Sequence, residues 1–210
     1  MNPVAANLNA VLEYVRLVNL LGDIPGSANP LEAHTLMLLA RHGPGKGLVA
    51  EVGCALGRAT AWMAWGCKQA GRGKVVAMDT FQGPYAVDSA SGRKETLSGT
   101  AAQERLAATL EAKELADHVV VKAVASQKAA PRFKQPLRML CLDADPAPEA
   151  VRADFDAWTP HVVPGGLVCL MGVGHWEGVT AFYEELMGSQ RGYTELCAVF
   201  HLRCLQKPEE

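Results

Sequence analysis

Five short runs of nearly unbroken apolar residues constrain this chain more than any other feature: LVAEVG (Leu48–Gly53), KVVAMD (Lys74–Asp79), HVVVKAV (His118–Val124), RMLCLD (Arg138–Asp143) and GGLVCLMG (Gly165–Gly172). Each is too short for a helix and too uniformly apolar for a strand with one wet face, so each reads as a strand buried on both sides. Helical segments separate them, starting from Gly57, running near Thr100 to Lys113, near Pro148 to Trp158 and near Glu177 to Met187. Alternation of this kind builds a parallel sheet covered by helices on both faces. The stretch GYTELCAVFHLRCLQK (Gly192–Lys207) departs from the pattern. It reads as two strands joined by a tight turn near Cys197 to Val199, which makes the last strand antiparallel. The expectation is an α/β, Rossmann-like, doubly wound and mostly parallel sheet of seven strands with an antiparallel last strand.

Two helices precede this sheet. Val4, Leu8, Val11, Val15 and Val18 step by three or four along one helical face, and Asn29, Pro30 and Glu32 supply an N-cap, a first-turn proline and a capping-box acid for a helix through Arg41. After the loop-breaking HGPGKG (His42–Gly47) the core begins, so residues 1–42 read as a helical cap on a core of residues 43–210, all within one domain. The cap's apolar faces fit either a cover over a pocket or a homodimer contact. Residues Gln82 to Gly99 are polar and rich in breakers, and read as a loop beside the site.

The 20 basic and 22 acidic residues form no block of one sign, which argues against a nucleic-acid track or an anionic membrane partner. No apolar stretch approaches the roughly 18 residues of a membrane span. The first residues carry no basic region and place Glu13 within their apolar part, unlike a secretory signal. Six scattered cysteines without a CxxC pair read as free thiols of a reducing compartment, so the cytoplasm is the expected location.

In an open α/β sheet, ligands sit beyond the carboxyl ends of the strands, where the strand order reverses. Gly53 and Gly57 bracket the turn from the first strand into its helix, where missing Cβ atoms and free N–H groups suit close approach of a ligand. A dinucleotide fingerprint needs a glycine at position 55, which is Ala55 here. Asp79 ends the second strand, where a carboxylate can accept both hydroxyls of a ribose. Asp143 and Asp145 follow the fourth strand, close enough to hold a divalent cation or steer a cationic ligand.

Together, EVGCALGRAT (Glu51–Thr60), MDTF (Met78–Phe81) and LDADPAPEAVRADFDAWTPHVVPGGLVCLMGVG (Leu142–Gly174) resemble the motifs of class I S-adenosylmethionine-dependent methyltransferases, in order and spacing. The resemblance runs from about Gly22 onward and is strongest to the bacterial small-molecule O-methyltransferase branch, which typically reads DGDHxYexVxxDxxxWxPxLxPGGxxxxHDV. It implies S-adenosylmethionine as cofactor and a small-molecule acceptor, methylated at a hydroxyl oxygen. It further implies Glu51, Gly53 and Gly57 at the methionine part, Arg58 and Thr60 near its carboxylate end, Asp79 at the ribose, Ser126 on the adenine side and Asp143 at the methionine amine.

The chain departs from that branch at the metal. Pro146 and Pro148 replace the usual His and Tyr, and Met171-Gly172 replaces the HD pair, leaving only Asp143 and Asp145 as metal ligands. The sequence therefore does not support a metal site. Methyl transfer requires no metal in principle, only alignment and a base near the methyl group. His175, in GVGHWEG after the fifth strand, is a candidate base, with Glu177 and Asp145 as its competitors. Trp176 and Tyr85 are candidate walls for the acceptor. Two other readings stay open: a binding or interaction protein that has lost turnover, and a nicotinamide oxidoreductase, which would require a parallel final strand.

Overall fold

The computed structural model describes residues 3–88 and 94–209, and side chains within 7–87 and 94–209. Strands β1 (Leu48–Val52), β2 (Val75–Asp79), β5 (Val119–Ala123), β6 (Leu137–Leu142) and β7 (Val162–Met171) pair in parallel, in the order β5-β2-β1-β6-β7. β9 (Leu202–Gln206) joins β7 antiparallel, and β8 (Thr194–Val199) completes the sheet antiparallel to β9. This is the expected seven-stranded, doubly wound architecture. Its antiparallel β9 removes the nicotinamide oxidoreductase reading, which required a parallel final strand.

Alternation along β1 sends Val49 and Glu51 to one face and Ala50 and Val52 to the other, dividing the core into two layers. On the first face lie α1 (Pro3–Leu21), α2 (Pro30–His42), α3 (Arg58–Ala70) and α4 (Gly99–Ala112). On the second, α6 (Pro148–Trp158) and α7 (Glu177–Gly188) bury Phe155, Trp158 and Phe182 over β6 and β7. Leu17, Leu21, Leu36 and Met37 belong to the same core as Val49 and Met139, so the N-terminal helices are continuous with the sheet layer they cover.

The capping box of α2 forms as the sequence implies: Asn29 Oδ1 accepts the Leu31 and Glu32 N–H groups, while Glu32 Oε2 accepts the Asn29 N–H. Glu32 Oε1 accepts a further N–H, from His201, at 2.8 Å. That tether places the β8–β9 turn at Phe200 and His201, with Val199 opposite Leu202, later than the expected Cys197 to Val199. The Gly172 and Val173 N–H groups also donate to the His201 carbonyl, so tertiary bonds fix the position of this turn.

Three further expectations change. The presumed loop from Gln82 to Gly99 contains an antiparallel pair, β3 (Tyr85–Asp88) and β4 (Lys94–Leu97); its residues 89–93 lie outside the described residues. On α1 the periodic positions Leu8, Val11 and Val15 are exposed, and the helix packs through Leu17 and Leu21 instead; the side chain of Val4 lies outside the described residues. Finally, the sheet is not covered throughout. β5 and β6 are connected by α5 (Ser126–Ala129), only four residues long, and a short 3-10 turn, leaving Val120 42% exposed. Among the described residues no helix is long and apolar enough to cross a membrane, and all six cysteines are free, five of them buried.

Candidate active site

β1 lies between β2 and β6, so the chain leaves it towards opposite halves of the sheet, and a cleft of about 580 Å³ opens at that switch point. Residues following four strands form its wall: Gly53 after β1, Asp79 at the end of β2, Ser126 after β5, and Asp143 and Asp145 after β6.

The glycine loop is shaped by packing. Gly53 has φ +88°, and a Cβ there would stand 2.2 Å from the Asp143 carbonyl oxygen. Only a bare backbone lets the ends of β1 and β6 approach so closely. Gly57 has φ +92°, and its Cβ would meet Leu106 of α4 at 2.2 Å. Gly57 lies outside the cleft wall, so its missing side chain makes room for a helix rather than for a ligand.

Asp79 holds this loop in place. Its Oδ2 accepts the Ala55 N–H at 2.8 Å, and its Oδ1 accepts the Phe81 N–H at 2.8 Å and the Tyr85 hydroxyl at 2.7 Å. Burial first, then the bond to Asp79, pushes the Tyr85 hydroxyl pKa well above its ordinary value. Tyr85 therefore lies on the Asp79 side of the cleft.

Beside the main cleft is a small recess bordered by Ser27, Glu51, Gly53, Arg58 and Asp143. Arg58 braces it: Nε donates to the Ile24 carbonyl at 2.6 Å and Nη1 to the Ala28 carbonyl at 2.9 Å, pinning the α1–α2 connector across the loop. The connector then brings the Ser27 hydroxyl to Asp143, donating to Oδ2 at 2.9 Å. Thr60 stands behind the recess, fully buried, its hydroxyl donating to Glu51 Oε2 at 2.5 Å.

The recess is electrostatically unsatisfied. Glu51 is 1% exposed, and burial, only partly offset by the Thr60 bond and augmented by Asp143 and Asp79, pushes its carboxyl up to about 8. Burial likewise moves Asp143 up to about 7, against the Ser27 bond and with the charge of Glu32. Two carboxyls that resist ionisation side by side are complementary to a ligand that brings positive charge.

Of the candidate bases, Asp145 is exposed on the cleft wall, with Oδ1 accepting the Ala147 N–H at 2.9 Å and Oδ2 making no hydrogen bond among the described residues. It also lines a depression that extends to Met171 and Trp176. His175 is not brought there. It lies in a separate shallow depression with Glu177 and Thr180, its ring 4.6 Å from Trp176 and 5.1 Å from His201. Two tight glycines, Gly172 and Gly174, turn the chain after β7 and carry His175 away from the strand ends. Ser126 lines the cleft while its hydroxyl donates to Asp154 Oδ1.

Sequence reasoning missed Ser27, which meets Asp143 across 116 positions, and the Tyr85–Asp79 bond. Neither carries a local signal; both depend on how connectors drape over the strand ends. No cluster of three or more His, Cys, Asp or Glu arranged to hold a metal ion occurs among the described residues.

Residues 50–170 match the sequence model of a family described as a methyltransferase domain. The fold is similar to that of the O-methyltransferase TomG from Streptomyces achromogenes, involved in tomaymycin synthesis and solved in complex with SAM, at TM-score 0.63 and 18% identity over 88% of this chain and 82% of that one. It is similar to an O-methyltransferase from Bacillus cereus in complex with SAH, at TM-score 0.60 and 21% identity over 94% and 91% of the two chains. An rRNA methylase from Streptococcus thermophilus is also similar, at TM-score 0.58 and 15% identity over 87% and 99%.

Proposed function

Because the chain belongs to the methyltransferase domain family, matched over residues 50–170, we propose that it uses S-adenosylmethionine to methylate a small molecule at a hydroxyl oxygen. The observation that carries this reading is the paired, charge-starved Glu51 and Asp143 at the recess of the switch-point cleft. The residues fit the cofactor: a ligand carrying an ammonium and a sulfonium relieves both carboxyls, while Asp79 offers an acceptor to a ribose and Ser126 borders the far end of the cleft. When bound, S-adenosylmethionine supplies an electrophilic methyl group on a positively charged sulfur.

This chain's own residues do the rest. Arg58 and Ser27 hold the connector against the recess, and Thr60 holds the Glu51 carboxyl. Asp145 Oδ2, free of the Ala147 bond, accepts the hydroxyl proton of the acceptor. His175 lies beyond Trp176 and is the weaker candidate. Two relatives that are O-methyltransferases support oxygen as the acceptor atom. Four aspartates on the cleft wall, Asp79, Asp143, Asp145 and Asp154, oppose a polyanionic acceptor such as RNA. Met171 and Gly172 replace the HD pair of the O-methyltransferase branch that the sequence resembles, which supports a reaction without a metal.

Calorimetric titration with S-adenosylhomocysteine tests the reading. Micromolar binding, unchanged by a chelator and weakened at least tenfold in Asp79→Ala, is the expected result. Undiminished affinity in Asp79→Ala refutes the assignment of the cleft.

A further inference from the structure

The short crossover between β5 and β6 leaves a second concavity, on the sheet face opposite α3. Its floor is apolar: Val76 and Met78 of β2, Val120 of β5 and Val124 just beyond it. It has a volume of about 530 Å³, within the range of small-molecule sites. Trp158 and Phe133 close one side, and the Trp158 indole nitrogen is buried with no hydrogen-bond partner among the described residues.

Five cations line this groove: Lys74, Lys122, Lys128, Arg132 and Lys134. No acidic side chain lines it, and among the described residues none of the five makes an ion pair. On a chain of formal charge −2, this groove carries a local excess of positive charge. Lysine and arginine carry apolar stems beneath charged heads, so the lining grades from an oily floor to a cationic rim.

We propose that this groove binds an anionic amphiphile: a small molecule with an extended apolar body and a carboxylate, sulfate or phosphate head. The body would displace water from Val76, Met78 and Val120, and the head would meet the cationic rim. The shape favours this occupant over a nucleic acid. Trp158 is fully buried and the half-buried Phe133 packs T-shaped against it at 5.2 Å and against His161 at 5.4 Å, so the described lining offers no series of exposed rings on which successive bases could stack. It also favours a small molecule over a membrane, because the apolar surface is the floor of a recess rather than a protruding face. Met78 and Val124 line both this groove and the catalytic cleft, yet the cleft's aspartates repel an anionic head, so the two sites select ligands of opposite charge.

The test is calorimetric titration of the full chain with sodium dodecanoate below its micelle-forming concentration. One saturable site is expected, with affinity falling at least tenfold in Lys122→Gln/Lys128→Gln, weakening as salt is raised, and retained when S-adenosylhomocysteine is already bound. Both lysines are exposed, and unchanged melting of the double variant checks that it folds. Failure of dodecanoate to bind, equal affinity for uncharged dodecyl maltoside, equal affinity in the double variant, or competition with S-adenosylhomocysteine overturns the proposal. So does binding confined to anionic vesicles or to an oligoribonucleotide.

Discussion

Replacing Glu51 by Gln is expected to remove the pH dependence of stability that this one carboxyl imposes. In the unfolded chain a glutamate loses its proton near 4.5, whereas in the fold Glu51 keeps it to about 8. Between those values the native state holds more protons than the unfolded state, so stability is greatest below 4.5, falls as pH rises, and levels off above about 8. A displacement of that size corresponds to about 5 kcal/mol across the window. Glutamine preserves the volume and the acceptor for Thr60 but cannot ionise. The variant should therefore gain about 3.5 kcal/mol on the parent between pH 5 and pH 8, or about 7–14 °C in melting temperature for a chain of this size.

Thermal and urea melts of both proteins at pH 5, 6, 7 and 8 measure the difference. Asp143, raised to about 7, leaves a residual slope in both. Parallel curves for parent and variant would refute the assignment of a protonated, buried Glu51. Ligand binding supplies an independent reading. If a cationic ligand ionises Glu51, titration with S-adenosylmethionine at pH 7 releases a proton, detected as a dependence of binding heat on the buffer, and Glu51→Gln reduces that release to the part that Asp143 contributes.

Gly53→Ala forces a side chain at φ +88° into the Asp143 carbonyl; a loss of about 3 kcal/mol or more in urea unfolding is expected, together with loss of adenosyl-ligand binding. With an acceptor in hand, Asp145→Asn should lower kcat about 100-fold or more while leaving S-adenosylhomocysteine affinity within a few-fold, and His175→Ala should leave kcat near the parent value. On α1, the exposed Leu8, Val11, Leu12 and Val15 form a continuous apolar stripe. If it joins two copies, light scattering gives a dimer that Leu12→Glu converts to monomer.

The sheet was legible because its signal is local and repeated. Val75 to Met78 and Met139 to Leu142 are apolar without interruption, as burial on both faces demands, and Asn29, Pro30 and Glu32 announce a helix start on their own. β5 misled because its Val119–Val121 run has the same composition as a central strand, although it lies at an edge whose cover is set by the length of the next crossover. The exposed face of α1 misled for a related reason: periodicity identifies an apolar stripe, not what the stripe touches.

The site shows the same division. Gly53, Asp79 and Asp143 could be placed from the order of strands alone, because a doubly wound sheet brings the residues that end its central strands to one crevice whatever the intervening loops contain. The roles within the crevice could not. The sequence marks Gly57 and Thr60 as strongly as Gly53 and Glu51, yet Gly57 admits Leu106 and Thr60 steadies Glu51 from behind. His175 follows a strand as directly as Asp145, but the glycine turn after β7 sends it to another surface. Strand ends are set by topology and can be read along the chain. Direction at a strand end depends on the turn that follows and on what packs against it, and for Ser27 and Asp143 that partner lies 116 residues away.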